Sequence, residues 1–144
     1  MFIGEYTHTV DDKKRLSVPA KFRKELGKKA VVTHGLDACL SIYPMDEWKE
    51  FATTLSKLSK GKAEDRQFSR FILSGATEVE VDSIGRILLP DYLKHYAHLS
   101  DKVVLAGVFD HVEIWDEVAW KTHKTQMTAD ASRIAERLGE NGVF

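Results

Sequence analysis

The sequence DSIGRILLP at residues 82–90 has a close relative in DDKKRLSVP at residues 11–19. Both segments read Asp-x-x-x-Arg-apolar-x-apolar-Pro, and they lie 71 positions apart. Self-similarity at a fixed spacing is typical of a chain that contains two copies of one structural unit. The repeated segment therefore predicts two related halves.

The repeat extends well beyond these segments. If one residue is inserted before Val103, it continues at a spacing of 72 and pairs Val31-Val32 with Val103-Val104, Gly35 with Gly107, Ile42 with Ile114 and Trp48-Lys49 with Trp120-Lys121. We expect one compact domain, residues 1–144. It comprises a first unit at 5–51, a helical insert at 52–75, a second unit at 76–122, and a C-terminal helix and tail at 123–144.

Composition limits what these units can be. The 144 residues are 43% apolar, which is enough for a buried core in a single domain. We find neither a signal-peptide pattern nor an apolar run that could span a membrane, and we expect a cytosolic protein. The single cysteine, Cys39, excludes an intramolecular disulfide and a multi-cysteine zinc site, and we expect it to be a small buried apolar group.

Charge is distributed unevenly along a chain whose net charge is only −1. Residues 11–29 carry eight basic and three acidic side chains, whereas residues 82–102 carry three of each. Acidic residues predominate from Asp110 to the C-terminus. Such a distribution can place one basic face on a nearly neutral protein, although a solvated helix surface gives the same pattern.

Each copy predicts the same order of elements, namely strand, charged loop, strand, short helix, two strands and a helix. Gly27 is expected to end the first short helix, and Asp46 to cap the helix that follows it. Gly85 tolerates a positive φ in the second loop, so Lys14 at the matching position predicts a strained or slightly different turn. Neither unit can bury both faces of its sheet alone. The sequence therefore predicts an α+β fold, in which two tandem β-loop-β-α-β-β-α units form a small pseudo-twofold β-barrel or sandwich flanked by helices.

These motifs carry a specific resemblance that covers nearly the whole chain. It rests on Met1-Phe2-x-Gly4-Glu5, Asp11-x-x-x-Arg15, Pro19-Ala20-x-Phe22-Arg23, Trp48, Arg70, Asp82-x-x-Gly85-Arg86, Ile114-Trp115 and Trp120. The sequence resembles the MraZ family, bacterial transcriptional regulators of the division and cell-wall gene cluster, whose halves are each similar to the AbrB-type DNA-binding unit. Lys14 departs from the Gly of the usual first motif.

The resemblance implies a DNA-binding regulator that requires no cofactor. Its target would be double-stranded DNA with short direct repeats upstream of its own gene cluster, and its expected location is the cytoplasm, associated with the nucleoid. Arg15 and Arg86 can each make a bidentate contact with guanine, and Asp11 and Asp82 can orient them. Phosphate contacts are expected from the nearby basic side chains of Lys13, Lys14, Lys21, Arg23 and Lys24.

The resemblance also implies a ring-shaped homo-oligomer. A loop of five residues touches only a few base pairs, so several loops must act together to distinguish a site from competing DNA. Linking subunits raises the effective concentration of later contacts. The expected packing surfaces are the apolar stripes of the helices at 46–58 and 120–138.

Other readings remain open. The two Asp–Arg pairs could simply stabilise turns, or they could dock onto neighbouring subunits of a structural assembly protein. His95 and His98 lie three apart and could meet a metal together with Cys39, His34 or His111. A small hydrolase using Ser74 and His111 is a third class. Because no nucleophile elbow, phosphate loop or dinucleotide fingerprint is present, we expect no enzymatic activity.

Overall fold

The computed structural model describes residues 1–143, so Phe144, the last residue of the predicted tail, lies outside the described residues. The described chain is a mixed α+β structure of eight strands and five helices. In order these are β1 (Glu5–Thr9), β2 (Arg15–Ser17), α1 (Ala20–Leu26), β3 (Lys29–His34), β4 (Leu40–Pro44), α2 (Met45–Ser56), α3 (Ala63–Ser74), β5 (Thr77–Glu80), β6 (Arg86–Leu88), α4 (Asp91–Tyr96), β7 (Lys102–Gly107), β8 (Val112–Asp116) and α5 (Glu117–Glu140).

The strand order shows how the two halves combine. Six strands form an antiparallel sheet in the order β1-β7-β8-β4-β3-β5, and β2 pairs with β6 in a separate two-stranded ribbon. The first strand of each unit is therefore paired with a strand of the other unit. A pseudo-twofold axis relates the halves and passes through the facing pairs Leu16–Ile87 and Ser41–Glu113. The predicted fold class of two tandem units is confirmed.

The strands do not close into the predicted barrel. β1 and β5 remain the outer strands of the six-stranded sheet, and a single bridge between Val10 and Leu16 joins the ribbon strand β2 to the chain just after β1. The ribbon strands are three residues long, which is too short to connect the two outer strands by a continuous ladder. The hydrophobic core includes Leu16 and Ile87 of the ribbon together with inward-facing residues of the sheet.

The register of the repeat differs from the sequence alignment. Val31 faces Tyr43 in the first unit, and Val104 faces Trp115 in the second, so Val31 corresponds to Val104 rather than to Val103. The second unit carries two additional residues before β7, not one, and its β7–β8 hairpin is one residue shorter. Four consecutive residues are buried in β3 and again in β7. Neither strand therefore shows the alternation of buried and exposed residues from which its register could have been predicted. The predicted match of Gly35 with Gly107 is wrong for the same reason.

The helix boundaries follow the local signals in part. Gly27 ends α1 with a φ of 74°, as predicted. The prediction that Asp46 caps α2 is wrong, because Pro44 occupies the N-cap and Asp46 lies in the first turn. There its carboxylate interacts favourably with the positive end of the dipole of α2. In residues 1–143 we find no helix whose length and apolar character would let it cross a membrane.

Leu16 and Ile87 hold the ribbon to the core at the pseudo-twofold axis, so shortening either should destabilise both halves. We expect Leu16→Ala to lower the free energy of unfolding by about 2–5 kcal/mol, because it leaves a cavity in a fully buried site. Leu88→Ala is the matched control, since Leu88 belongs to the same ribbon but is exposed, and its effect should be within about 0.5 kcal/mol. Urea unfolding followed by circular dichroism measures the free energy of unfolding of both variants. An equal decrease in the two variants would contradict the role of Leu16 in holding the ribbon to the core.

Candidate nucleic-acid interface

Asp11 organises the first loop through three hydrogen bonds. Its Oδ1 atom accepts from the backbone N–H groups of Lys13 and Arg15, each at 2.9 Å. Its Oδ2 atom accepts from Nε of Arg15, also at 2.9 Å. One carboxylate thus fixes both the turn and the direction of the arginine side chain, because an Asp can bond to backbone groups shortly after it in the chain.

The second loop repeats this arrangement. Asp82 accepts from the backbone N–H groups of Ile84 at 3.1 Å and Arg86 at 2.8 Å, and its Oδ2 atom accepts from Nε of Arg86 at 2.9 Å. The three bonds match those of the first loop position by position. The duplicated motif is therefore a duplicated local structure.

Lys14 adopts the conformation that Gly85 adopts in the second loop. Its φ is 63°, against 83° for Gly85. The backbone N–H of Lys14 donates to the carbonyl oxygen of Asp11, and that of Gly85 donates to the carbonyl oxygen of Asp82, each at 3.0 Å. The predicted strain is present, because a left-handed non-glycine residue costs about 1 kcal/mol, but the turn itself is the same. The Nζ atom of Lys14 donates to Asp91 at 2.6 Å, which ties the first loop to the start of α4 in the second unit.

A different contact supports the second loop. Arg23, on α1 of the first unit, donates from Nε to the carbonyl oxygen of Val18 at 2.8 Å. Its side chain passes so close to Gly85 that a Cβ there would lie 2.1 Å from Nε of Arg23. Each loop is therefore supported by a residue of the other unit.

The ribbon brings the two arginines onto one surface. Leu16 and Ile87 point into the core, so the alternation of a strand directs their neighbours outward. Arg15 and Arg86 both lie on this outward face, with side chains 32% and 27% exposed. Sequence spacing could not show this convergence, because it depends on the pairing of β2 with β6.

The hydrogen bonds change the acidity of both aspartates. Backbone donation from Arg15, followed by its side-chain bond, holds the pKa of Asp11 below its usual range despite some desolvation. The pKa of Asp82 is lowered in the same way by Arg86. Both carboxylates are therefore ionised at neutral pH and keep their arginines in place.

The remaining predicted basic residues differ in what they contact. Lys13 lies at the tip of the first loop, and Lys21 and Lys24 lie on α1, all of them exposed. Lys14 and Arg23 make the contacts within the chain described above. The structure therefore distinguishes three solvent-facing lysines from two side chains that also support the loops.

The alternative sites are not assembled. The imidazole rings of His95 and His98 are 6.4 Å apart, and among the described residues no three His, Cys, Asp or Glu side chains are grouped as metal ligands. Cys39 is buried as predicted, and burial raises the pKa of its thiol. His111 contacts Asp110 and stacks on Tyr43, whereas the hydroxyl of Ser74 donates to the backbone carbonyl oxygen of Arg70.

Comparison with known proteins gives consistent matches. The profile of a family described as "MraZ protein, putative antitoxin-like" matches residues 1–71 and again residues 72–141. A protein of Moorella thermoacetica named transcriptional regulator MraZ is 49% identical over 138 residues, which cover 96% of each chain. Proteins of the same name from Alkaliphilus metalliredigens and Desulfitobacterium hafniense strain DCB-2 are 45% and 48% identical over 143 residues, covering 99% of this chain and 100% of each relative.

The lowered pKa of Asp82 predicts how the loop responds to acid. Above the ordinary aspartate pKa of about 3.9 the carboxylate contributes its full stabilisation, and this contribution is lost as the pH falls through the lower folded value. We expect the Nε–H resonance of Arg86 in nitrogen-15 NMR spectra to remain protected from exchange down to pH 4 and to lose protection below it. Asp82→Asn should remove the protection at every pH, whereas Ser83→Ala, one residue along the loop, should leave it unchanged. Protection that persists in Asp82→Asn would contradict this account.

Proposed function

The chain belongs to the MraZ family, and from this premise we propose that it is a DNA-binding transcriptional regulator that acts on short direct repeats upstream of its own division and cell-wall gene cluster. Its relatives are named as transcriptional regulators and not as enzymes, in agreement with the prediction that the chain has no enzymatic activity. It acts in the cytoplasm, in association with the nucleoid.

The observation that carries the proposal is the shared outward face of Arg15 and Arg86. A two-stranded β-ribbon fits the major groove of B-DNA, and an arginine there can donate two hydrogen bonds to O6 and N7 of guanine. Each Asp engages its arginine through Nε, which leaves the terminal guanidinium nitrogens for a base. Holding the side chain in one geometry before binding reduces the entropy lost on contact.

The exposed lysines supply the part of the affinity that is independent of sequence. Lys13 in the first loop and Lys21 and Lys24 on α1 are all exposed, and we propose that they contact phosphates on either side of the groove. Lys14 and Arg23 add charge to the same surface while supporting the loops. These contacts position the ribbon, and the arginines read the bases.

The chain acts as a ring-shaped homo-oligomer. α5 is 24 residues long, or about 36 Å, and none of its residues is buried. Its exposed apolar residues Met127, Ile134 and Leu138 follow helical spacing and form one stripe. The expectation that α2 offers a second free stripe is wrong, because its Trp48 and Phe51 pack on Tyr43 of the same chain and its Leu55 is buried. A second copy of the chain covers the stripe of α5, and head-to-tail contacts that close into a ring place the Arg15 and Arg86 faces of several subunits around one side.

Replacing Arg15 should separate base reading from phosphate binding. We expect Arg15→Ala to weaken binding to a repeat-containing duplex from the upstream region by about 1–3 kcal/mol, and binding to random duplex much less. Arg15→Lys should also fail to restore selectivity, because it keeps the charge but loses the bidentate geometry.

Lys24→Ala is the control for this experiment. It should weaken binding to both duplexes equally and reduce the slope of log K against log salt by about 1. Fluorescence anisotropy at several salt concentrations measures all three variants. Equal losses on the two duplexes for Arg15→Ala would contradict the base-reading role.

Disrupting the apolar stripe of α5 should dissociate the ring. Light scattering during size-exclusion chromatography should give several times the 16.3 kDa chain mass for the wild type and a lower mass for Met127→Asp with Ile134→Asp. The same double variant should lose the preference for duplexes with two repeats over one. Ala129→Asp, on the opposite side of α5, should change neither property; a wild-type monomer would rule out the ring.

A further inference from the structure

The outward face of the β2–β6 ribbon departs from its pseudo-twofold symmetry at one pair of positions. Arg15 corresponds to Arg86, but Ser17 in β2 corresponds to Leu88 in β6. Leu88 is 59% exposed, and it faces Arg15 directly across the ribbon. Arg15 therefore faces an apolar side chain across the ribbon, whereas Arg86 faces a hydroxyl group.

Leu88 has no evident part in holding the fold together. The inward positions of the ribbon belong to Leu16 and Ile87, which are buried, while Leu88 points to the solvent. An exposed leucine between two oriented arginines offers an apolar contact at the place where the ribbon meets its ligand. Because the fold does not require a leucine at this position, we assign the role of Leu88 to ligand binding.

The major groove offers one apolar group that such a side chain can contact, the 5-methyl group of thymine. Facing residues of an antiparallel pair have Cβ atoms about 4.5–5.5 Å apart, and stacked bases are about 3.4 Å apart along a strand. Two facing side chains thus reach neighbouring base pairs. If Arg15 binds a guanine, Leu88 lies over the adjacent pair.

We propose that Leu88 is a specificity-determining residue that contacts the 5-methyl group of a thymine next to the guanine bound by Arg15. Arg86 instead faces Ser17 across the ribbon, and the hydroxyl group of Ser17 can bond to any base edge. This inference rests on the proposed function and extends it from guanine recognition to a guanine with an adjoining thymine.

The asymmetry also gives each chain a direction on the duplex. A reader with perfect twofold symmetry favours a palindrome, because its two halves recognise the same bases on opposite strands. The loops add to the difference, since the tip of the first carries Lys13 where the second carries Ile84. Unequal halves distinguish the two orientations of a site, as reading a direct repeat requires.

The test removes single methyl groups from the DNA. A duplex is first selected from a random pool with the wild-type protein, and each thymine is then replaced in turn by uracil, which lacks only the methyl group. We expect the replacement of one thymine, next to the guanine that Arg15 binds, to raise the Kd of the wild-type protein about fourfold. This is the change in Kd that corresponds to the loss of one buried methylene-sized group. Leu88→Ala should bind the thymine and uracil duplexes equally.

Two further variants keep the result from being explained by misfolding. Ile84→Ala, which shortens the exposed residue at the loop tip, should retain the sensitivity to uracil. Ser17→Leu should gain a second sensitive position, beside the guanine bound by Arg86. The inference is overturned if no replacement weakens wild-type binding, or if Leu88→Ala loses as much as the wild type does. A wild-type protein that selects no sequence above the random pool would instead overturn the proposed function itself.

Discussion

The reciprocal exchange of first strands is the constraint on which the rest of the structure depends. β1 pairs with β7 and β5 pairs with β3, so each half completes the sheet of the other. Without this exchange, β3 and β7 would present unpaired backbone groups at exposed edges. The same exchange brings β2 beside β6 on the axis, and only that pairing places Arg15 and Arg86 on one surface.

The loops are set more locally than the ribbon that carries them. Each Asp bonds to two backbone N–H groups and one guanidinium within five residues, so the turn is determined by its own segment. The supports from outside differ, since Asp91 holds Lys14 whereas Arg23 lies against Gly85. The two loops keep one geometry although their sequences differ at the position with positive φ.

Local features could therefore be predicted from the sequence, and pairings could not. The Asp–Arg turns, the end of α1 at Gly27 and the burial of Cys39 follow from residue chemistry over short distances. The register of β7 was missed because its four consecutive buried residues lack alternation. Barrel closure was expected, but the open sheet follows from the shortness of β2 and β6. Leu88 was not recognised, because a leucine in a strand is ordinarily assigned to the core.

The strand exchange has a consequence for biosynthesis. β1 leaves the ribosome about a hundred residues before its partner β7, and β3 must likewise wait for β5. Long-range pairing of this kind slows folding, because the loop must be closed before its contacts are gained. In the nascent first half the edge of β3 is unpaired, because β5 has not yet been made. This edge can pair with β1 of another nascent copy, since β1 and β5 are the corresponding strands of the two units. Neighbouring ribosomes on one message thus offer a route to intermolecular exchange, with which folding within each chain must compete.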